Sequence, residues 1–149
     1  MKIRIVQTAL AFLTLLFVVG KAAGHCEIPC GIYDDAMRIK LLAEHIATIE
    51  KSMNMIKDLE QVEQRNTNQQ VRWVMNKEDH ANQLQDVVAQ YFLTQRIKPD
   101  QKNYQEMLTL LHQMLIAAMK AKQTVDLNQV TELKRLLQEF EKLYFAPHT

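Results

Sequence analysis

"IKLLAEHIATIEKSMNMI", residues 39–56, decides the fold. Within it Ile39, Leu42, Ile46, Ile49, Met53 and Ile56 follow one another at steps of 3, 4, 3, 4 and 3. Side chains at that spacing line one face of an α-helix, in the rhythm of a bundle seam. Asp34 or Asp35 just upstream offers an N-cap, since a short carboxylate can accept from the free N–H groups of a first helical turn. The stripe fades near Leu59, and the polar run "EQRNTNQQ" (63–70) reads as a break.

The same reading extends outward. A second helix is expected over about 68–96, its best seam being Leu84, Val87 or Val88, Tyr91 and Phe92. Its polar middle, "NKEDHAN" (76–82), reads as solvent-facing or locally irregular. Pro99 disfavours helix at Lys98 and ends the element. Asp100 can cap a third helix, where Tyr104, Met107, Leu111, Met114, Ala118 and Ala121 repeat the 3–4 rhythm. After a break at 123–126, Asp126 can cap a fourth, with Val130, Leu133, Leu137, Phe140 and Tyr144 in its seam, and Pro147 closes the chain. Only three Gly and three Pro interrupt 149 residues. Four amphipathic helices with short connections predict an all-α, antiparallel four-helix bundle over residues 34–149. No solenoid repeat and no glycine-rich phosphate loop is present.

Composition narrows the function classes. The chain is 48% hydrophobic and 23% charged, and its formal net charge is +1. That is a globular balance. Without a basic stripe interleaved with aromatics, a nucleic-acid partner is not expected. Residues 1–24 differ from the rest: Lys2 and Arg4 open the chain, "IVQTALAFLTLLFVV" (5–19) is almost wholly apolar, and "AAG" (22–24) follows. That is the three-part pattern of a secretory signal peptide, and the apolar run is short of the ~20 residues a membrane span needs. Cleavage after Gly24 would make His25 the N-terminus. It would lower Lys+Arg from 18 to 15 against 17 Asp+Glu, a net charge of −2. No stable membrane association is expected after cleavage.

The chain's two cysteines fall in the next stretch, "HCEIPCGIY" (25–33). One reading is a Cys26–Cys30 disulfide in an exported helical interaction protein, although so small a loop gains little from closure. The other is a metal site. Two thiolates and an imidazole suit soft or borderline metals, but a closed zinc site wants four side-chain ligands and only three lie together. His45, His80 and His112 each stand alone on a helix and read as surface or packing residues.

Cleavage changes the count of donors. A free α-amine at His25 has a pKa of ~7.7–8.0, so a metal readily displaces its proton. The His25 amine and the Cys26 amide nitrogen would close one chelate ring, and the Cys26 sulfur a second. Cys30, returning across "EIP", would complete a plane of two nitrogens and two sulfurs, with the His25 imidazole free to approach axially. Planar nitrogen-containing coordination favours Ni(II) or Cu(II) over zinc. Such strong donors suit one-electron chemistry. A copper or zinc carrier remains open on the same ligands.

At these residues the chain resembles the nickel-containing superoxide dismutase family. His25, Cys26, Pro29, Cys30, Gly31 and Tyr33 match each fixed position of its N-terminal hook, His-Cys-x-x-Pro-Cys-Gly-x-Tyr. The resemblance implies a short irregular hook (25–33) ahead of the bundle, binding one nickel ion per chain through His25, Cys26 and Cys30. It implies superoxide as substrate, disproportionated to O2 and H2O2 by Ni(III)/Ni(II) cycling. His25 and Tyr33 would act in catalysis: the imidazole as a ligand that binds and leaves, the phenol as a gate beside the metal's open face. Pro29 would bend the hook, Gly31 would permit its tight exit, and the backbone N–H groups of Glu27 and Cys30 would meet the anion.

The resemblance also implies a carboxylate on the first helix that orients the imidazole. Direct counting lands on Leu41, while Glu44 or Glu50 would serve after a shift. A second tyrosine is expected, with Tyr91 and Tyr104 as candidates and core packing as the plainer reading of both. Arg38 and Lys40 are candidate steering cations, or ordinary solvated helix residues. Glu27 stands where the family often has Asp. A homohexamer is implied, and an exported protein, or a cytoplasmic one with a cleaved propeptide.

Overall fold

The computed structural model describes residues 32–64 and 66–146. The leader and the hook residues His25, Cys26, Glu27, Pro29, Cys30 and Gly31 therefore lie outside the described residues, as does Pro147. Four helical elements follow in order: α1 (Asp35–Glu60), α2 (Thr67–Asp86) with a π-helical continuation (Val87–Arg96), α3 (Tyr104–Gln123) and α4 (Asn128–Tyr144). Among the described residues there is no strand. Each helix packs against the next, and α4 returns to α1. Short connections thus close an antiparallel four-helix ring.

The expected seams are the core. Ile39, Leu42, Ile46, Ile49, Met53 and Ile56 of α1 are all buried, as are Met107, Leu111, Met114, Ala118 and Ala121 of α3. Val130, Leu133, Leu137 and Phe140 of α4 meet Leu84, Val88, Tyr91 and Phe92 in the same cluster. Phe92 sits edge-on to Phe140 at 5.0 Å and to Tyr144 at 5.6 Å between centroids.

The caps follow expectation in part. Asp34, not Asp35, caps α1, its Oδ1 accepting from the Met37 N–H at 2.8 Å. Asn66 does the same for α2 through Gln69. Asp100 does not cap α3. The residue before that helix is Asn103, at φ 60°. Asn tolerates this left-handed conformation better than most side chains do. Asp126 accepts from the Asn128 N–H at 3.0 Å, acting from just ahead of α4.

The polar middle of α2 is neither irregular nor simply solvent-facing. Lys77 is 3% exposed, and its ammonium donates to the carbonyls of Ala121, Lys122 and Thr124 at 2.9, 2.6 and 3.0 Å. Those acceptors belong to the C-terminal end of α3, where carbonyls lack helical partners and a cation also suits the helix dipole. Gln85 donates to the Leu115 carbonyl, and Lys122 donates to Asn82 and Gln85. The face reads as polar in sequence because it joins α2 to α3 through hydrogen bonds.

The π-helical continuation has a local signature. Ile97 N–H donates to the Phe92 carbonyl at 2.9 Å. The Thr94 hydroxyl and the Gln95 amide reach back to the carbonyls of Ala89 and Gln90, again five residues earlier. In an α-helix, residues five apart point about 140° from one another. The wider π turn brings residue i+5 back over residue i, a geometry that recurs at functional sites.

Candidate functional site

Tyr33 precedes α1 and stands three residues after Cys30 in the chain. It is 42% exposed. Two neighbours hold its ring. Tyr91 meets it in an edge-on contact, 6.0 Å between centroids and 71° between planes. The Arg96 guanidinium lies over its face at 4.3 Å. Both neighbours come from the π-helical stretch and are five residues apart, so that stretch is what places them on one side of the helix. Arg38 of α1 stacks over Tyr91 at 5.0 Å.

Asp35, freed from capping because Asp34 takes that role, receives four hydrogen bonds. Its Oδ1 accepts from the Tyr91 hydroxyl at 2.6 Å and from Arg96 Nε at 2.8 Å. Its Oδ2 accepts from Arg96 Nη2 at 2.7 Å and from the Tyr144 hydroxyl at 2.9 Å. Partial burial works against the charged carboxylate, but the donors Arg96, Tyr91 and Tyr144 outweigh it and hold the carboxyl below its ordinary value. The phenols respond in the opposite sense. Burial and the neighbouring carboxylate push Tyr91 up to about 12, and Tyr144 likewise to about 12. The hydrogen bonds to Asp35 hold Arg96 firmly in its charged form. A cavity of about 200 Å³ opens beside the cluster between Arg96, Lys102, Met107 and Tyr144.

The other candidates are dispersed. Glu50 is bound to Lys134 of α4 at 2.7 Å. It lies four turns along α1 from Asp35, roughly 22 Å at a rise of about 1.5 Å per residue. Glu44 and Lys40 are exposed, and Leu41 is half-buried. Tyr104 packs against the core at the start of α3. His112 is exposed. His45 and His80 do not stand alone: their Nδ1 atoms face each other at 2.9 Å. Among the described residues no group of three or more His, Cys, Asp or Glu could hold a metal, and no helix is long and apolar enough to cross a membrane.

Arg96 carries no mark in the sequence, Tyr144 reads there only as a seam residue, and Asp35 only as an alternative cap. The one signal was the five-residue spacing of Tyr91 and Arg96, which means nothing until the helix is known to be π there.

Comparison with known proteins decides the family. Residues 20–148 match the nickel-containing superoxide dismutase family. The chain belongs to that family.

Membership makes it an oxidoreductase that acts on superoxide and uses nickel. It is similar to a protein of Streptomyces seoulensis named superoxide dismutase (Ni), 26% identical over 133 residues that cover 82% of this chain and 92% of that one. No solved structure gives a match.

Proposed function

We propose that the chain dismutates superoxide at nickel held by an N-terminal hook, residues 25–33, created by cleavage after Gly24. The observation that carries this reading is the run His25-Cys26-x-x-Pro29-Cys30-Gly31-x-Tyr33, directly behind a stretch with the pattern of a signal peptide, in a member of a nickel family. The donor set fits the metal. The His25 α-amine, the Cys26 amide nitrogen and the thiolates of Cys26 and Cys30 supply two nitrogens and two sulfurs, with the His25 imidazole as a fifth donor. When bound, nickel supplies a Ni(III)/Ni(II) couple that oxidises one superoxide to O2 and reduces a second to H2O2 with two protons.

The chain's own residues do the rest. The Tyr33 hydroxyl narrows access to the hook and can donate to the incoming anion. Tyr91 keeps its proton and points it at Asp35 in a hydrogen bond, so it shapes the wall behind Tyr33 rather than supplying a proton there. Arg38 puts positive charge beside the two tyrosines, while the charge of Arg96 is balanced by Asp35. That charge favours a small anion in a chain of net charge −2 after cleavage. Pro29 and Gly31 shape the hook, and the N–H groups of Glu27 and Cys30 meet the substrate. One nickel per chain, a homohexameric assembly and export of the cleaved protein complete the proposal. A cytoplasmic protein with a trimmed propeptide is the alternative location.

The experiment adds one alanine ahead of His25 in the mature chain. Every side chain survives, but the α-amine moves out of the chelate. Nickel content and dismutase activity should fall together while the helical circular dichroism stays. Unchanged activity would show that the amine is not a ligand. A Cys26–Cys30 disulfide in fresh metal-replete protein, or zinc at one per chain without dismutase activity, would refute the hook.

A further inference from the structure

Tyr33 sits on the exposed edge of the bundle, ahead of the first helical hydrogen bonds. A phenol that gates a metal site must nevertheless hold one orientation. Its two ring contacts are Tyr91 at its edge and Arg96 on its face. Both end on the same carboxylate. We propose that Asp35 is a positioning residue for the reaction, fixing Tyr91 and Arg96 so that together they hold the Tyr33 ring. The inference rests on the reading of Tyr33 given above.

Three features carry it. First, the carboxylate is saturated. A carboxylate offers about four lone-pair sites. Here each oxygen takes two donors, from Tyr91 and Arg96 on Oδ1 and from Arg96 and Tyr144 on Oδ2. Second, Arg96 is fixed in plane by a two-point contact and also stacked on Tyr33, so its orientation sets where that ring can lie. Third, Asp35 is itself anchored, as the first residue of α1, where the helix dipole favours negative charge. Tyr144 touches the carboxylate but not the Tyr33 ring, so a simple tie between helix ends would not need the Tyr91 and Arg96 arms.

Asp35→Asn is the direct test, because its amide brings two donors to a site that already holds four. The mature full-length chain, labelled with 13Cζ tyrosine, is followed by NMR from pH 7 upward, and the nickel-loaded chain is assayed for dismutation. The groups facing the Tyr91 phenol are Asp35 and Arg38 of α1, Arg96 of its own stretch and the Asp34 backbone. In Asp35→Asn the Tyr91 resonance should begin to titrate at least one pH unit earlier than in wild type. The Tyr33 resonance should shift, and kcat/KM should fall about tenfold or more at equal nickel content. Asp35→Glu should recover most of that loss.

If Asp35→Asn lowers only the thermal midpoint, with both resonances and kcat/KM as in wild type, Asp35 is a tie between helix ends and the proposal is wrong. Should Asp35→Asn not fold, Arg96→Lys gives the second test, since an ammonium keeps the charge but neither stacks nor bonds in two places. An unmoved Tyr33 resonance in that variant overturns the proposal. Wild-type chain that takes up nickel yet shows no dismutation would instead overturn the functional reading, an outcome visible before any variant is compared.

Discussion

The Nδ1 atoms of His45 on α1 and His80 on α2 meet at 2.9 Å, with ring centroids 5.1 Å apart and planes tilted 59°. At that distance one ring must donate and the other accept, so the pair holds together only while one Nδ1 is bare. His45 is 4% exposed. Burial, then the neighbouring His80, lowers its pKa from the ordinary 6.5, against a smaller opposing effect of Glu44.

The sign of the pH effect follows. A histidine whose folded pKa lies below its unfolded one binds more protons when unfolded. The associated stability is therefore fully present above about pH 6.5 and is lost as pH falls below that value and through the folded pKa. Thermal melts at pH 7 and pH 5 should show a lower Tm at pH 5. The drop should be smaller in His80→Ala, where the like-charge partner is gone. A drop of the same size in that variant would mean that His80 contributes nothing to the pH sensitivity and that burial of His45 or another group sets it.

Lys77 supplies a second prediction. Lys77→Met keeps most of the buried stem but leaves the carbonyls of Ala121, Lys122 and Thr124 without their donor. Stranding a buried acceptor costs about 1–3 kcal/mol, and water can reach some of these three, so a total loss of about 2 kcal/mol is expected. Urea unfolding should show a lower midpoint at an unchanged slope. A midpoint within experimental error of wild type would mean the carbonyls find other partners.

Phe92 is fully buried and touches the rings of Tyr91, Phe140 and Tyr144. Phe92→Ala should cost about 3–5 kcal/mol, the range for emptying an aromatic site in a packed core. Because Tyr91 and Tyr144 also bond to Asp35, the fluorescence of the tyrosines should change along with stability. Stability loss with unchanged tyrosine spectra would separate the aromatic core from the Asp35 cluster.

Metal removal should leave the bundle standing. Among the described residues, the buried seams of α1–α4 all lie between Ile39 and Phe140 and close on one another. Nickel stripped from the mature chain by a chelator should abolish dismutation while the helical circular dichroism signal persists. Loss of helix on chelation would mean that the hook is part of the bundle's stability.

Much of the fold was legible because helical burial leaves a short-range trace. Six apolar residues of α1 recur at steps set by the helical period, and all six are buried. The seams of α3 and α4 repeat this, with Tyr104 and Tyr144 at their ends only partly buried. Lys77 was not legible: its chemistry says surface, and only the end of α3, some 44 residues away in the chain, makes burial favourable for it. His45 and His80 are separated by 35 positions and carry no mark of each other. The proposed hook could be read as a motif because its candidate donors His25, Cys26 and Cys30 lie within six residues of one another. Asp35 was hidden because its neighbour Asp34 satisfies the capping role equally well on paper.

The sequence by itself determined the four helices and their apolar faces, and it carries the motif from His25 to Tyr33 on which the proposed hook rests, since each depends on residues a few positions apart. Tertiary structure alone decided which of two adjacent aspartates caps α1 and which turns inward. It also decided that a π-helical turn would set Tyr91 and Arg96 side by side, and that their partner would be Asp35, 56 and 61 positions away. Those choices depend on where α1, the π stretch and α4 meet, and no local periodicity records a meeting between distant segments.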